Sequence, residues 1–411
     1  MISQNNNFKN FIWNAIGLTS YCLVSMVLFI IVKLVNGINE SGIFTYSYSI
    51  CTLFFYISMY YNRTFQIVDN YKINGFNKFL STRIITSFAS IILIVIFSLI
   101  SHFDSYKILI IFMIMLFKTI DAISDTFYGY FQQKDKLYLV GISYTLKSFI
   151  GILLFLITDL LFKSVFLSIV SLIIVNIIIF VLFDVNKFKK MFIDKIQLDL
   201  SDTKKIIKSS FSIFIFQIIA IYLANCQKYM ITYISSNEIQ TIFGILIMPA
   251  TVLSLVGNYL ILPFINKLGN YHQKKDYKNL NKLTIKIVLI LFAIGLIIIA
   301  ITNILGIPLL NLLYQLQLSE YKLDLLIIIL SAIFSSASMI FSGVLTIINE
   351  NRVQVYIYGF TSIIGTVVCY FATQHDIIFG ASLSYFISCL LLFILYLLIY
   401  KYKLKKYSRL R

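Results

Sequence analysis

Charge is scarce in this chain of 411 residues: Asp, Glu, Lys and Arg together make up 12%, while apolar residues reach 59%. Soluble domains carry about 25% charged and roughly 45–50% apolar residues, so a water-soluble enzyme is excluded, as are disordered and collagen-like chains. Only three prolines and 16 glycines interrupt the sequence. Long hydrophobic stretches therefore run unbroken, as a helical membrane protein needs when each segment must satisfy its own backbone polar groups. The short alternating segments of a transmembrane barrel are missing. Five cysteines (Cys22, Cys51, Cys226, Cys369, Cys389) lie scattered in apolar runs, offering neither a disulfide framework nor a CxxC metal pair. The three histidines, His102, His272 and His375, fall in connections on both sides of the membrane and cannot converge on a metal or a catalytic centre. A phosphate-binding P-loop is also lacking, so the chain does not itself hydrolyse ATP. No cleavable signal peptide is expected, because the first apolar run spans a bilayer and lacks a small-residue cleavage site. No cofactor is called for.

What is present is a series of apolar stretches of about 20 residues, the length of a membrane-crossing helix. They fall at 11–35, 42–61, 84–101, 108–130, 139–158, 164–183, 211–234, 241–266, 287–306, 323–347, 355–373 and 377–400. With the N-terminus placed inside, 27 Lys and Arg residues fall in cytoplasmic connections, three (Lys107, Lys163, Lys322) fall outside, and four (Lys33, Lys118, Lys147, Lys228) lie within spans. The positive-inside rule then puts both termini in the cytoplasm. The net charge of +17 is on this reading a topogenic signal that favours anionic membrane lipids, not nucleic acid. The external loop at 307–322 is the largest, and it is too small for a catalytic module.

The connections repeat. In each half the first cytoplasmic connection is long and basic (62–83 and 267–286), and the second is short (131–138 and 348–354). The expected organisation is all-α and integral to the membrane, with twelve transmembrane helices in two parallel six-helix repeats around a central cavity. The segments are an N-terminal bundle (1–183), a basic linker (184–210), a C-terminal bundle (211–400) and a basic tail (401–411). Parallel repeats of this kind are a transporter architecture.

Polar residues inside the spans mark the candidate site. The fourth span carries Lys118, Asp121 and Asp125, whose combined exposure to lipid would cost about 7–10 kcal/mol. At roughly 100° per residue they share a narrow arc, which Tyr128 and Gln132 extend. That face must look at another helix or at water. One reading is an internal ion pair of Lys118 with Asp121 or Asp125. The other is a wet cavity in which Lys118, Lys147 and Lys228 meet an anionic substrate and the two aspartates hold a coupling ion. In the seventh span Gln217, Asn225, Thr232 and Ser235 share the face of Lys228. Arg63 closes span two, where a topology anchor is the plain reading. Span ten lines one face with Ser331, Ser335, Ser338, Ser342 and Asn349, without any charge, as small-residue packing would. Span eight carries Thr251, Ser254 and Asn258 on one face between Pro249 and Pro263, a kinked helix. Asn14, Gly17, Tyr21 and Ser25 form a milder stripe in span one.

The opening Asn10-Phe-Ile-Trp13-Asn14-Ala-Ile-Gly17, the Tyr61-Asn62-Arg63 segment leading to Asp69, the run Asp121 to Asp125-Thr-Phe-Tyr-Gly129-Tyr-Phe-Gln132, and Phe243-Gly244-Ile-Leu-Ile-Met-Pro249-Ala250 with Pro263 resemble polysaccharide (O-antigen or capsule repeat-unit) flippases of the Wzx type. That group lies within the multidrug/oligosaccharidyl-lipid/polysaccharide exporter (MOP) superfamily. The resemblance implies two helical bundles flanking a cationic cavity in the bacterial plasma membrane. It also implies an undecaprenyl-diphosphate-linked glycan as substrate, coupling to H⁺ or Na⁺, and partnership with a polysaccharide polymerase and a chain-length regulator. The diphosphate would fall to Lys118, Lys147, Lys228 and Arg63, ion coupling or charge balance to Asp121 and Asp125, and the sugar or cavity lining to Tyr128, Gln132, Gln217, Asn225 and Asn258. A drug/cation antiporter of the same fold and a non-transporting assembly scaffold are the alternatives.

Overall fold

The computed structural model describes residues 2–60, 63, 66–67, 75–192, 195–261, 264–348 and 350–409. These are helical almost throughout, with no strand among the described residues. The helices are α1 (Ile2–Asn36), α2 (Ile38–Ser58), α3 (Phe76–Ile100), α4 (Ser105–Gln133), α5 (Leu137–Phe162), α6 (Val165–Lys189), α7 (Thr203–Ile234), α8 (Asn237–Ile261), the short α9 (Ile265–Gln273), α10 (Tyr277–Tyr314), α11 (Lys322–Ile347), α12 (Asn351–Thr373) and α13 (Ile377–Arg409). Leaving out α9, they account for the twelve expected spans. The protein is a multi-pass, all-α membrane protein.

Among the described residues nine of these helices are long and apolar enough to cross a membrane by composition alone. The other three membrane-length helices are α2, α4 and α8. In α2 and α4 the polar residues that lower the hydropathy are turned inward: Ser41, Thr45, Ser47 and Ser49 of α2 and Lys118, Asp121 and Asp125 of α4 are all buried. The two helices pack on each other. The apolar stretch of α8 covers Asn237–Leu253, and Pro249 lies inside that helix.

The chain forms two compact units, Met1–Ile218 and Ile219–Arg411, with α7 running across the boundary. Their internal packing repeats. In the first unit α4 packs against α2, α3 and α6, and α5 against α6; in the second, α11 packs against α8, α10 and α13, and α12 against α13. These are the same four pairings in the same chain order, so the structure contains two like-directed repeats.

In the first unit α1 and α5 approach backbone to backbone. A methyl group at Gly17 would overlap the backbone of Gly141, and one at Gly141 the backbone of Trp13. Asn10 secures the same pair from the end, its Oδ1 accepting from the Tyr138 amide at 2.8 Å and its Nδ2 donating to the Asp135 carbonyl at 3.0 Å. The opening motif of the sequence is thus a helix-pairing motif.

Several expected boundaries shift. The connection expected at 267–286 is largely helical, α9 followed by the first turns of α10, capped by Asp276, whose side chain accepts from the Asn279 amide. The large external loop expected from 307 shortens, because α10 continues through a π-helical turn (Thr302–Gly306) to Tyr314. Likewise α6 does not stop at 183. It continues through the π-helical turn Phe180–Val185 to Lys189, which makes Asp184 part of a helix. Further along, the segment at 195–202 lies on the first turns of α3: Asn77 Nδ2 donates to the Lys195 carbonyl at 2.9 Å, the Asp199 amide donates to Ser81 Oγ at 2.8 Å, and Lys78 pairs with Asp202.

Candidate functional site

The polar stripe of α4 forms the spine of a charged cluster inside the first unit. Lys118 stands furthest along the helix from Gln133. Its Nζ donates to the Tyr48 hydroxyl of α2 at 2.9 Å and lies 4.1 Å from the ring centroid. One turn further along, Asp121 accepts a hydrogen bond of 3.0 Å from the Tyr21 hydroxyl of α1. Tyr21 in turn packs on Tyr144 of α5, which gives the polar stripe of span one its role.

Asp125 is held by two guanidinium groups. Arg63 donates to its Oδ1 through Nε at 2.9 Å and Nη2 at 2.5 Å, and also donates to the Tyr144 hydroxyl at 3.0 Å. Arg83 of α3 reaches Oδ2 at 3.5 Å. This arginine is 0% exposed and is fixed by the Ser58 carbonyl at 2.9 Å and Thr126 Oγ1 at 3.3 Å.

Lys147 of α5 uses all three of its donors. Nζ lies 2.8 Å from Ser124 Oγ, 2.9 Å from the Tyr128 hydroxyl and 3.0 Å from Asp184 Oδ2. The π-helical turn of α6 delivers Asp184 to this point; π-bulges inside helices are frequent at functional positions. Tyr128 is buried and hydrogen-bonded to Ser143 at 2.8 Å.

This geometry corrects several expectations. The internal pair of Lys118 with Asp121 or Asp125 does not form: Lys118 takes a tyrosine, and Asp125 takes Arg63 and Arg83. Arg63 is an ion-pair partner within the bundle rather than a free anchor or a free phosphate ligand. Lys147, expected at the diphosphate, is neutralised by Asp184. Tyr128, expected to line a sugar cavity, is enclosed by Lys147, Ser143 and Tyr144. Gln132 is half-buried near the end of α4.

Counted together, Arg63, Arg83, Lys118 and Lys147 face Asp121, Asp125 and Asp184, an excess of one positive charge when all are ionised. Two of the three carboxylates contact cations. Asp121 has no cation within ion-pair distance among the described residues.

Three members of this cluster could not be read from sequence as site residues. Arg83 counted as one more basic residue of a cytoplasmic connection, and Asp184 as the first residue of the linker. Tyr48 carries no periodic signal within a helix already rich in tyrosine and serine. A hint did exist for Asp184, which is the sole acid directly after an apolar run and ahead of Lys187, Lys189 and Lys190.

In the second unit, Lys228 of α7 is half-buried, and its ammonium has no hydrogen-bond or ion-pair partner among the described residues. Asn225 on the same helix is also half-buried, as is Gln217, which lies on the first-unit side of the boundary. The amide nitrogen of Asn225 turns back to the Ile221 carbonyl, and Gln217 Oε1 is buried without a hydrogen-bond partner. The serines of α11 behave as packing residues, Ser331 and Ser338 bonding to carbonyls four residues back while Ser342 meets Gln354 of α12. The Asn258 side chain, Pro263, Asn349, and Tyr61, Asn62 and Asp69 lie outside the described residues.

A scan against family models finds no match. Among curated proteins, the capsular polysaccharide biosynthesis protein CapF of Staphylococcus aureus is 26% identical over 345 residues, covering 77% of this chain and 81% of that protein. Among solved structures, a multidrug resistance MATE family transporter of the MOP superfamily in an inward-facing conformation aligns with a TM-score of 0.65 at 14% identity, covering 98% of this chain and 95% of the other. A MOP superfamily transporter from Pyrococcus furiosus, for which a binding pocket of reverse polarity suggests a different function, aligns with a TM-score of 0.62 at 13% identity, covering 98% and 96%. With two like-directed six-helix repeats and near-complete coverage of both partners, the chain has the fold of the MATE transporters of the MOP superfamily.

Proposed function

We infer that this protein moves a lipid-linked oligosaccharide carrying a diphosphate across the bacterial plasma membrane by alternating access, in surface polysaccharide biosynthesis. The observation that carries this reading is Lys228, an ammonium in a membrane-length helix with no anion beside it among the described residues. A lone intramembrane charge is costly and marks a functional position unless something pairs with it. A diphosphate would supply the missing partner, and Gln217 and Asn225 on the same helix would serve the sugar. The excess positive charge of the first unit supports the same sign of substrate. The likeness to CapF, a capsular polysaccharide biosynthesis protein, supports the pathway. The 27-to-3 split of basic residues supports cytoplasmic termini. In this reading Asp125 and Asp184 balance charge. Asp121, whose contact is a neutral tyrosine hydroxyl, takes the coupling ion.

A second reading, a drug/cation antiporter, is favoured by the multidrug transporters of the same fold and by that same carboxylate, which a cation could approach. Lys228 separates the two. In cells that depend on this protein, Lys228→Ala is expected to abolish surface polysaccharide at unchanged protein level, with Lys228→Arg restoring most of it. Full polysaccharide in Lys228→Ala cells, together with a change in drug resistance in Asp121→Asn cells, would overturn the flippase reading in favour of the antiporter.

A further inference from the structure

At the far end of the first unit from Arg63, the tips of α1, α2, α4, α5 and α6 surround an open cavity of about 490 Å³. Tyr106 at its wall and Asp125 at the arginine pair lie on one helix, separated by about 28 Å at 1.5 Å per residue. That distance approaches the roughly 30 Å of a bilayer core, so the cavity opens near the opposite membrane surface. Its size falls within the range of about 300–1,000 Å³ found for small-ligand pockets.

The lining is chemically mixed. Glu40 brings a carboxylate, to which the Tyr106 hydroxyl donates at 2.7 Å. Lys163 brings an exposed ammonium from the turn between α5 and α6, in a left-handed conformation (φ 47°) that favours glycine. Ser164 adds a hydroxyl and Asn36 an amide. The amide is fixed from behind by Asp159, which is fully buried, accepts from Asn36 Nδ2 at 2.7 Å and from Ser168 Oγ at 3.0 Å, and has no ion-pair partner among the described residues. Burying a carboxylate without a cation is costly. Here it orients Asn36 and leaves the amide oxygen for a ligand.

An anion would meet Glu40, and a cation would meet Lys163, so neither fits both walls. A lipid tail would leave the Lys163 ammonium and the Asn36 amide oxygen unpaired. A polyhydroxylated ring satisfies them together: its hydroxyls donate to the carboxylate and the amide oxygen and accept from the ammonium and the serine, while its C–H face lies on Tyr106. We propose that this cavity is a saccharide-binding site that receives the glycan at the surface where it leaves the transporter. The proposal rests on the flippase reading and adds a location and a ligand chemistry to it.

The test is titration of the purified, full-length protein in lipid nanodiscs with the oligosaccharide repeat released from the surface polysaccharide of the producing cell, with glycerol phosphate as a headgroup comparator. Saturable saccharide binding, weakened on the order of tenfold by Glu40→Gln and by Lys163→Ala, supports the site. Thermal unfolding of the variants, both changed at positions that are not fully buried, controls for folding. Equal affinity in wild type and both variants, no saccharide binding, or equal binding of glycerol phosphate overturns it. Failure here leaves the loss of polysaccharide in Lys228→Ala cells untouched, so the two readings fall separately.

Discussion

Replacing Asp184 with Asn should destabilise the first unit severely, while replacing Asp184 and Lys147 together with apolar residues should not. Lys147 is 4% exposed and Asp184 0%, and their atoms lie 3.0 Å apart. At an effective dielectric constant of about 20 that separation is worth roughly 5–6 kcal/mol of attraction. Desolvating two ions costs several kcal/mol each and offsets most of this, so the pair is close to neutral as a unit. Breaking it is different: Asp184→Asn strands a buried ammonium and costs about 3–5 kcal/mol. The double variant Lys147→Met/Asp184→Leu removes both charges and is expected within about 1–2 kcal/mol of wild type. For a unit of this size the single variant should lower the melting temperature on the order of 10 °C, read by thermal unfolding of the purified protein in detergent. The same two variants separate structure from function. If Lys147 only closes a pair, cells carrying the double variant keep their surface polysaccharide; if the ammonium meets substrate, they lose it while the protein remains stable. A double variant as unstable as the single one would refute the idea of a closed, self-neutralising pair.

Other expectations follow from particular contacts. Asp125→Ala leaves both Arg63 and Arg83 without their carboxylate and should cost about 3–5 kcal/mol, seen as a loss of folded protein; Arg83→Met in the same background should recover part of it. Gly141→Val pushes a side chain into the Trp13 backbone and should destabilise by about 1–3 kcal/mol, whereas Gly359→Ala, inside α12 with open space around its Cβ position, should hold or slightly raise the melting temperature. Asp121→Asn should preserve the fold, because an amide still accepts from Tyr21, yet remove the dependence of transport on an imposed ion gradient in proteoliposomes. Of the five cysteines, Cys22 is partly accessible while the other four are buried; maleimide should therefore modify Cys22 first in the folded protein, by intact mass.

Much of the architecture was legible in the chain itself. Hydropathy over about 20 residues located the twelve spans because insertion into lipid depends on the composition of each segment alone. Helical periodicity put Lys118, Asp121, Asp125 and Tyr128 on one face because that too is a local property. The alternation of long and short basic connections disclosed the repeat, which the packing reproduces in four helix pairings. Where sequence reasoning failed, it failed at helix ends and in charge pairing. The π-helical turns at Phe180–Val185 and Thr302–Gly306 carried two helices past the points where the apolar runs seemed to close.

Charge pairing is a long-range matter. Arg63 meets Asp125 across 62 residues, and Tyr21 meets Asp121 across 100. No local window contains both members of either pair, and each lysine or acid had several partners of equal standing on the page of the sequence. The chain by itself determined that charge would be buried and on which faces, because solvent and helix geometry act on every segment alike. Only the packed helices decided that Lys147 would be closed by Asp184, that Arg83 would be an interior group, and that Asp121 and Lys228 would stand without an ion-pair partner among the described residues. Which oppositely charged atoms come within 3–4 Å depends on how helices distant in sequence meet.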